Sequence, residues 1–150
     1  MTAADRLTKV LDFAIAEEKA AAEFYLSLAS QARSAEMRLA LQAFAQEEQG
    51  HEARLRRMQA SGISSASSAP VRDLKIADYQ VKMEPAPDMT YRDLVMLAMQ
   101  KELAANRLYT ALAETSPDPA VSEIFRQLAQ EEARHKLKFE TEYDNLMVEG

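Results

Sequence analysis

The sequence predicts an all-α fold, a four-helix bundle of two antiparallel helical hairpins joined by a long crossover linker, and three observations predict it. Helix formers (alanine, leucine, glutamate, glutamine, lysine, arginine and methionine) dominate, with only three glycines, Gly50, Gly62 and Gly150, and no β-branched runs around Asn-Gly turns. Four long segments each carry one seam of positions at alternating steps of four and three. The two halves of the chain repeat with an offset of 84 residues. At 150 residues, with 47% apolar and 28% charged side chains, the chain suits a single domain, 1–150, able to bury a core.

The first helix is expected from about Ala3 to Ser30, with its seam at Leu7, Leu11, Ala14, Glu18, Ala21, Tyr25 and Leu28. The second runs from about Ser34 to Ala60, along Met37, Leu41, Phe44, Glu48, His51, Leu55 and Met58. Only a few residues around Gln31 to Arg33 join the two, so they are antiparallel neighbours. The third is expected from about Thr90 to Glu114, along Tyr91, Val95, Ala98, Glu102, Ala105, Tyr109 and Leu112. The fourth, from about Pro119 to Met147, follows Val121, Phe125, Leu128, Glu132, His135 and Phe139. Ser116-Pro117-Asp118-Pro119 breaks the chain between them, making a second antiparallel hairpin. The linker, 61–89, opens on a serine-rich tract, expected to be mobile, and turns apolar through Leu74, Ile76, Tyr79 and Val81, a stretch expected to pack along the bundle. Fully extended it spans several tens of ångströms, enough to travel the length of a bundle.

Each seam is interrupted by ionisable residues, and the interruptions repeat. Glu18 maps onto Glu102, Tyr25 onto Tyr109, Glu48 onto Glu132 and His51 onto His135, and Ala45-Gln46-Glu47-Glu48 recurs as Ala129-Gln130-Glu131-Glu132. In each half a lone Glu precedes the Glu-x-x-His motif by 30 positions, and the midpoints, Arg33 and Pro117, fall in the two turns. Residues equidistant from a turn sit at equal height on antiparallel helices, here about 22 Å from the turn and near mid-bundle.

Glu at i and His at i+3 share a helix face. Two such motifs, with one further Glu from each of the other two helices, bring four carboxylates and two imidazoles to one level. Burying even one unpaired charge costs several kcal/mol, and two divalent cations would offset all four. Glu18, Glu48, His51, Glu102, Glu132 and His135 are therefore the candidate metal ligands, in the pattern of two-metal carboxylate sites in helical bundles. A single Glu-x-x-His is weak evidence. Two copies at matched spacing, holding the only two histidines of the chain, outweigh the bland alternative of solvated helix faces. Glu47 and Glu131 point about 100° away from the proposed ligands and are read as solvated flanks. Tyr25 and Tyr109, seven residues beyond Glu18 and Glu102, are candidate donors to the carboxylates, with plain core aromatics as the alternative.

The segments Glu18-Lys19-Ala20-Ala21-Ala22-Glu23-Phe24-Tyr25 and Glu47-Glu48-Gln49-Gly50-His51, with Ala98-Met99-Gln100-Lys101-Glu102 through Tyr109 and Glu131-Glu132-Ala133-Arg134-His135, resemble the ferritin-like superfamily, and most closely its rubrerythrin-type domain. The resemblance covers nearly the whole chain. It implies that Glu48 and Glu132 bridge two metals, that Glu18 with His51 and Glu102 with His135 are terminal ligands, and that the protein is a homodimer. It also implies a di-iron oxidoreductase, ferroxidase- or peroxidase-like, which reacts with oxygen or peroxide and is reduced by an external electron donor. The alternative is a non-catalytic iron-binding or iron-delivery protein with the same site. The donor set suits two iron ions, with manganese or zinc also able to occupy it.

The chain departs from that family in three ways. It has no cysteine, which excludes a rubredoxin iron centre and disulfides. Met99 and Ala105 flank Glu102 where rubrerythrins carry a further carboxylate, so the site is expected to be symmetric. No fifth short helix follows the fourth, so a storage cage is not expected. A net charge of −6 and a pI near 5.0 argue against a nucleic-acid partner. With no apolar leader and no run of about 20 apolar residues, no membrane contact and a cytoplasmic location are expected.

Overall fold

A computed structural model describes residues 3–61 and 74–149. Among them every long element is an α-helix: α1 (Ala3–Ala29), α2 (Ala35–Ala60), α3 (Tyr91–Thr115) and α4 (Pro119–Glu149), with a single short 3-10 turn at Ile76–Tyr79. The all-α class read from the sequence is borne out, and the helix ends fall within two residues of the expected ones. The contacts sort into two compact units, one around α1 and α2 and the other around α3 and α4.

In the first unit α1 closes on three tight backbone bonds, Ser30 N–H to Ser27, Gln31 N–H to Leu28 and Ala32 N–H to Ala29. Ser34 then caps α2, its hydroxyl accepting from the Met37 N–H at 3.0 Å. Two caps only four residues apart force the chain back on itself. Gln59, near the end of α2, donates to Asp12, near the start of α1, which fixes the antiparallel sense. The seam between them is closed, with Leu11, Leu41 and Leu55 wholly shielded. Each such leucine contributes about 1.5–3 kcal/mol of apolar burial.

In the second unit a reciprocal cap starts α3. The Thr90 N–H donates to the Asp93 carboxylate and the Asp93 N–H to the Thr90 hydroxyl, both at 3.1 Å. The Thr90 backbone first, and its hydroxyl second, hold the Asp93 carboxyl below its usual range. Pro119 opens α4, where its missing N–H costs nothing. Side-chain bonds tie α3 to α4: Ser122 Oγ donates to the Ala113 carbonyl at 2.6 Å, Asn106 Nδ2 to the Ala129 carbonyl at 2.8 Å, and the Tyr91 hydroxyl to Glu142 at 2.6 Å. As the α3 partner moves back along the chain the α4 partner moves forward, so this hairpin is antiparallel too.

The expected seams are nearly all buried. The exceptions are Ala21, Phe44, Tyr91 and Ala105, which are half-buried. Leu74, Ile76, Tyr79 and Val81 of the linker are half-buried and none is fully shielded, so this stretch does not enter a core. The serine tract, 64–68, lies outside the described residues. No described helix is long and apolar enough to cross a membrane.

Candidate metal centre

The ionisable residues that interrupt the seams are as buried as the leucines beside them. Glu18 is 2% exposed, and Glu48, His51, Glu102, Glu132 and His135 are 1% or less. In the first hairpin α1 supplies Glu18, while α2 supplies Glu48 and His51 one turn apart. His51 Nδ1 stands 3.4 Å from Glu18 Oε2 and 3.4 Å from Glu48 Oε1. In the second hairpin α3 supplies Glu102, while α4 supplies Glu132 and His135. His135 Nδ1 stands 3.6 Å from Glu102 Oε1 and 3.9 Å from Glu132 Oε1. In each triad one donor atom from every residue lies within 4.8 Å of the others.

The same nitrogen, Nδ1, faces the carboxylates in both halves. A divalent cation with bonds of about 2.1 Å places neighbouring ligand atoms roughly 3.0–3.6 Å apart. The imidazole–carboxylate separations are of that size or slightly wider, and one donor atom from each residue of a triad lies within 4.8 Å of the others, so each triad can close on a metal ion. Two buried carboxylates against one imidazole make an unfavourable group in an apolar seam, and a cation removes that cost. Two carboxylates and one imidazole are hard and borderline donors, which favours iron, manganese or zinc over copper(I) and other thiophilic ions.

A rubrerythrin family model matches residues 9–87 and 93–149. The chain belongs to the rubrerythrin family. The match spans both hairpins and therefore all six glutamate and histidine residues of the two triads. Comparison with curated proteins returned no match, and comparison with solved structures returned none either. Family membership and the buried Glu/His cluster together point to a metal site of the two-metal carboxylate kind.

Tyr25 and Tyr109 occupy equivalent places in the two hairpins and are 0% and 1% exposed. The Tyr25 ring meets Phe44 edge-on with centroids 6.5 Å apart, while Tyr109 stacks on Phe125 at 6.3 Å. Both rings are thus core aromatics, whatever their hydroxyls do. Glu47 and Glu131, read as solvated flanks, are half-buried. Sequence reasoning missed Asn106. Its only sequence signal was a polar residue one turn beyond Glu102, where the first hairpin has Ala22.

Proposed function

We propose that the two triads hold two metal ions, one anchored by each imidazole, and that the protein is a di-iron oxidoreductase of the ferroxidase or peroxidase kind. The observation that carries this reading is the pair of buried Glu-Glu-His triads, built twice by the same 30-residue spacing inside a rubrerythrin chain. Bound iron supplies reversible one-electron chemistry toward oxygen or peroxide, with an external donor returning the electrons. The protein holds the carboxylates and imidazoles ready, and the apolar seam keeps bulk water away from them. Glu48, Glu132, Glu18, His51, Glu102 and His135 would hold the two ions, the ligand set that the family resemblance implies. The Tyr25 and Tyr109 hydroxyls donate to these carboxylates and set their orientation. A homodimer in the cytoplasm completes the reading.

A second reading, an iron-binding or iron-delivery protein, is favoured by Met99 and Ala105, both half-buried, which flank Glu102 where the rubrerythrin pattern carries a further carboxylate. Anaerobic loading with iron(II), followed by addition of hydrogen peroxide with a reductant present, tests the proposal. Sustained turnover is expected of the oxidoreductase. Uptake and release of about two irons per chain without turnover would instead support delivery.

A further inference from the structure

The two triads repeat one another, but the backbones that carry them do not. In the second hairpin Asn106 Nδ2 donates to the Ala129 carbonyl at 2.8 Å. Asn106 lies one turn beyond Glu102 on α3, and Ala129 lies one turn before Glu132 on α4. This bond ties the two ligand-bearing helices together beside the ligands themselves. The equivalent pair in the first hairpin, 84 residues earlier, is Ala22 and Ala45. Both are buried, and an alanine side chain has nothing to donate.

A second difference has the same direction. Gly50 sits in α2 between Glu48 and His51, inside the Glu-x-x-His turn, where the second hairpin has Arg134. A Cβ on Gly50 would meet nothing within 4 Å, so packing does not require glycine there. Glycine in a helix interior loosens it relative to alanine. The first triad therefore rides on the softer backbone, and its Ala22 and Ala45 pair cannot make the bond that Asn106 makes to Ala129. The imidazole nitrogen stands 3.4 Å from both carboxylates in the first hairpin and 3.6 and 3.9 Å from them in the second, a difference of a few tenths of an ångström that side-chain rotation closes in either triad. The backbone is what ranks the two.

We propose that the two halves load metal unequally. The Glu102, Glu132 and His135 triad, clamped by Asn106, takes the first ion tightly, and the Glu18, Glu48 and His51 triad, on the Gly50 turn, takes the second more weakly. Asn106 is a positioning residue: it acts on the metal through the helices it joins. Ligands held in place before binding lose less freedom on binding, which is the source of the difference. The proposal rests on the two-metal reading above and assigns an order of filling to it.

Manganese(II) titrated into the metal-free full chain, with the free ion read by electron paramagnetic resonance, tests it. The parent should bind in two resolved steps differing by about tenfold or more in affinity. Asn106→Ala should weaken the tight step by about tenfold and leave the weak step in place. Gly50→Ala, whose added methyl enters open space, should tighten the weak step alone, and it carries the test if Asn106→Ala folds poorly. His135→Ala should abolish the tight step. Two equal steps in the parent, an equal shift of both steps in Asn106→Ala, an unchanged weak step in Gly50→Ala, or a surviving tight step in His135→Ala would each overturn the proposal. A parent protein that takes up no manganese, iron or zinc would overturn the two-metal reading along with it.

Discussion

His51 Nδ1 lies 3.4 Å from Glu18 Oε2, and the two side chains reach that distance from different helices of one hairpin. Neither residue can be moved without reopening a seam that is closed on both sides of it by Leu11, Leu41 and Leu55.

Replacement of His51 by Ala is expected to remove one metal equivalent and leave the other. Elemental analysis after anaerobic iron loading should give about two irons per parent chain and about one in the variant. Two irons bound as tightly as in the parent would remove His51 from the ligand set.

Metal should stabilise the fold. At free metal about a hundredfold above its dissociation constant, each site adds about 2.7 kcal/mol to unfolding, provided the unfolded chain does not bind. Calorimetry with and without manganese(II) should show a higher Tm for the loaded protein, and addition of a chelator should reverse it. Identical melting with and without metal would count against buried ligation.

Leu55 lies one turn beyond His51 and is 0% exposed. Leu55→Ala is expected to cost about 2–5 kcal/mol, as truncations in closed cores do. Urea unfolding followed by circular dichroism measures it, and a loss below about 1 kcal/mol would show that the seam collapses readily around the gap.

The Thr90–Asp93 cap gives a dependence on pH. The folded-state pKa of Asp93 is lowered by its bonds to Thr90, so the carboxylate form is favoured in the folded chain. A depressed carboxylate pKa contributes stability that is present above the unfolded value, about 3.9, and is lost as pH falls through the folded value. The stability difference between the parent and Asp93→Ala should therefore shrink on acidification below about pH 4. A difference that persists at pH 2 would show that the cap does not depend on the charge. Thr90→Ala, which removes the hydroxyl half of the cap, is expected to cost about 1 kcal/mol at neutral pH.

The ligands were legible because they break a pattern. A Glu or His inside a seam of leucine and alanine stands out, and the 84-residue repeat marks the same breaks twice. The helix ends were legible through Ser34 and the two prolines of the second turn, residues whose chemistry is local. What the sequence hid depends on neighbours. A strict alternation of four and three drifts against the true helical period, so Tyr91, at the end of its seam, comes out half-buried. Ala21, Phe44 and Ala105 sit in the middle of theirs and are half-buried as well. Val10, Ile15, Leu94 and Leu97, off the expected seams, are buried instead. Asn106 and Ser122 read as ordinary polar helix residues, because their bonds to Ala129 and Ala113 require the partner helix at a particular height and rotation.

Each triad is drawn from one hairpin, with 30 positions between Glu18 and Glu48 and the same number between Glu102 and Glu132. Contacts this local close early when a chain folds, because little loop entropy is lost in making them. A hairpin emerging from the ribosome would thus carry three ligands in register before the other half of the protein had been synthesised. The triad that emerges first, Glu18, Glu48 and His51, is the one proposed to bind more weakly, so the order of synthesis and the order of filling would run in opposite directions.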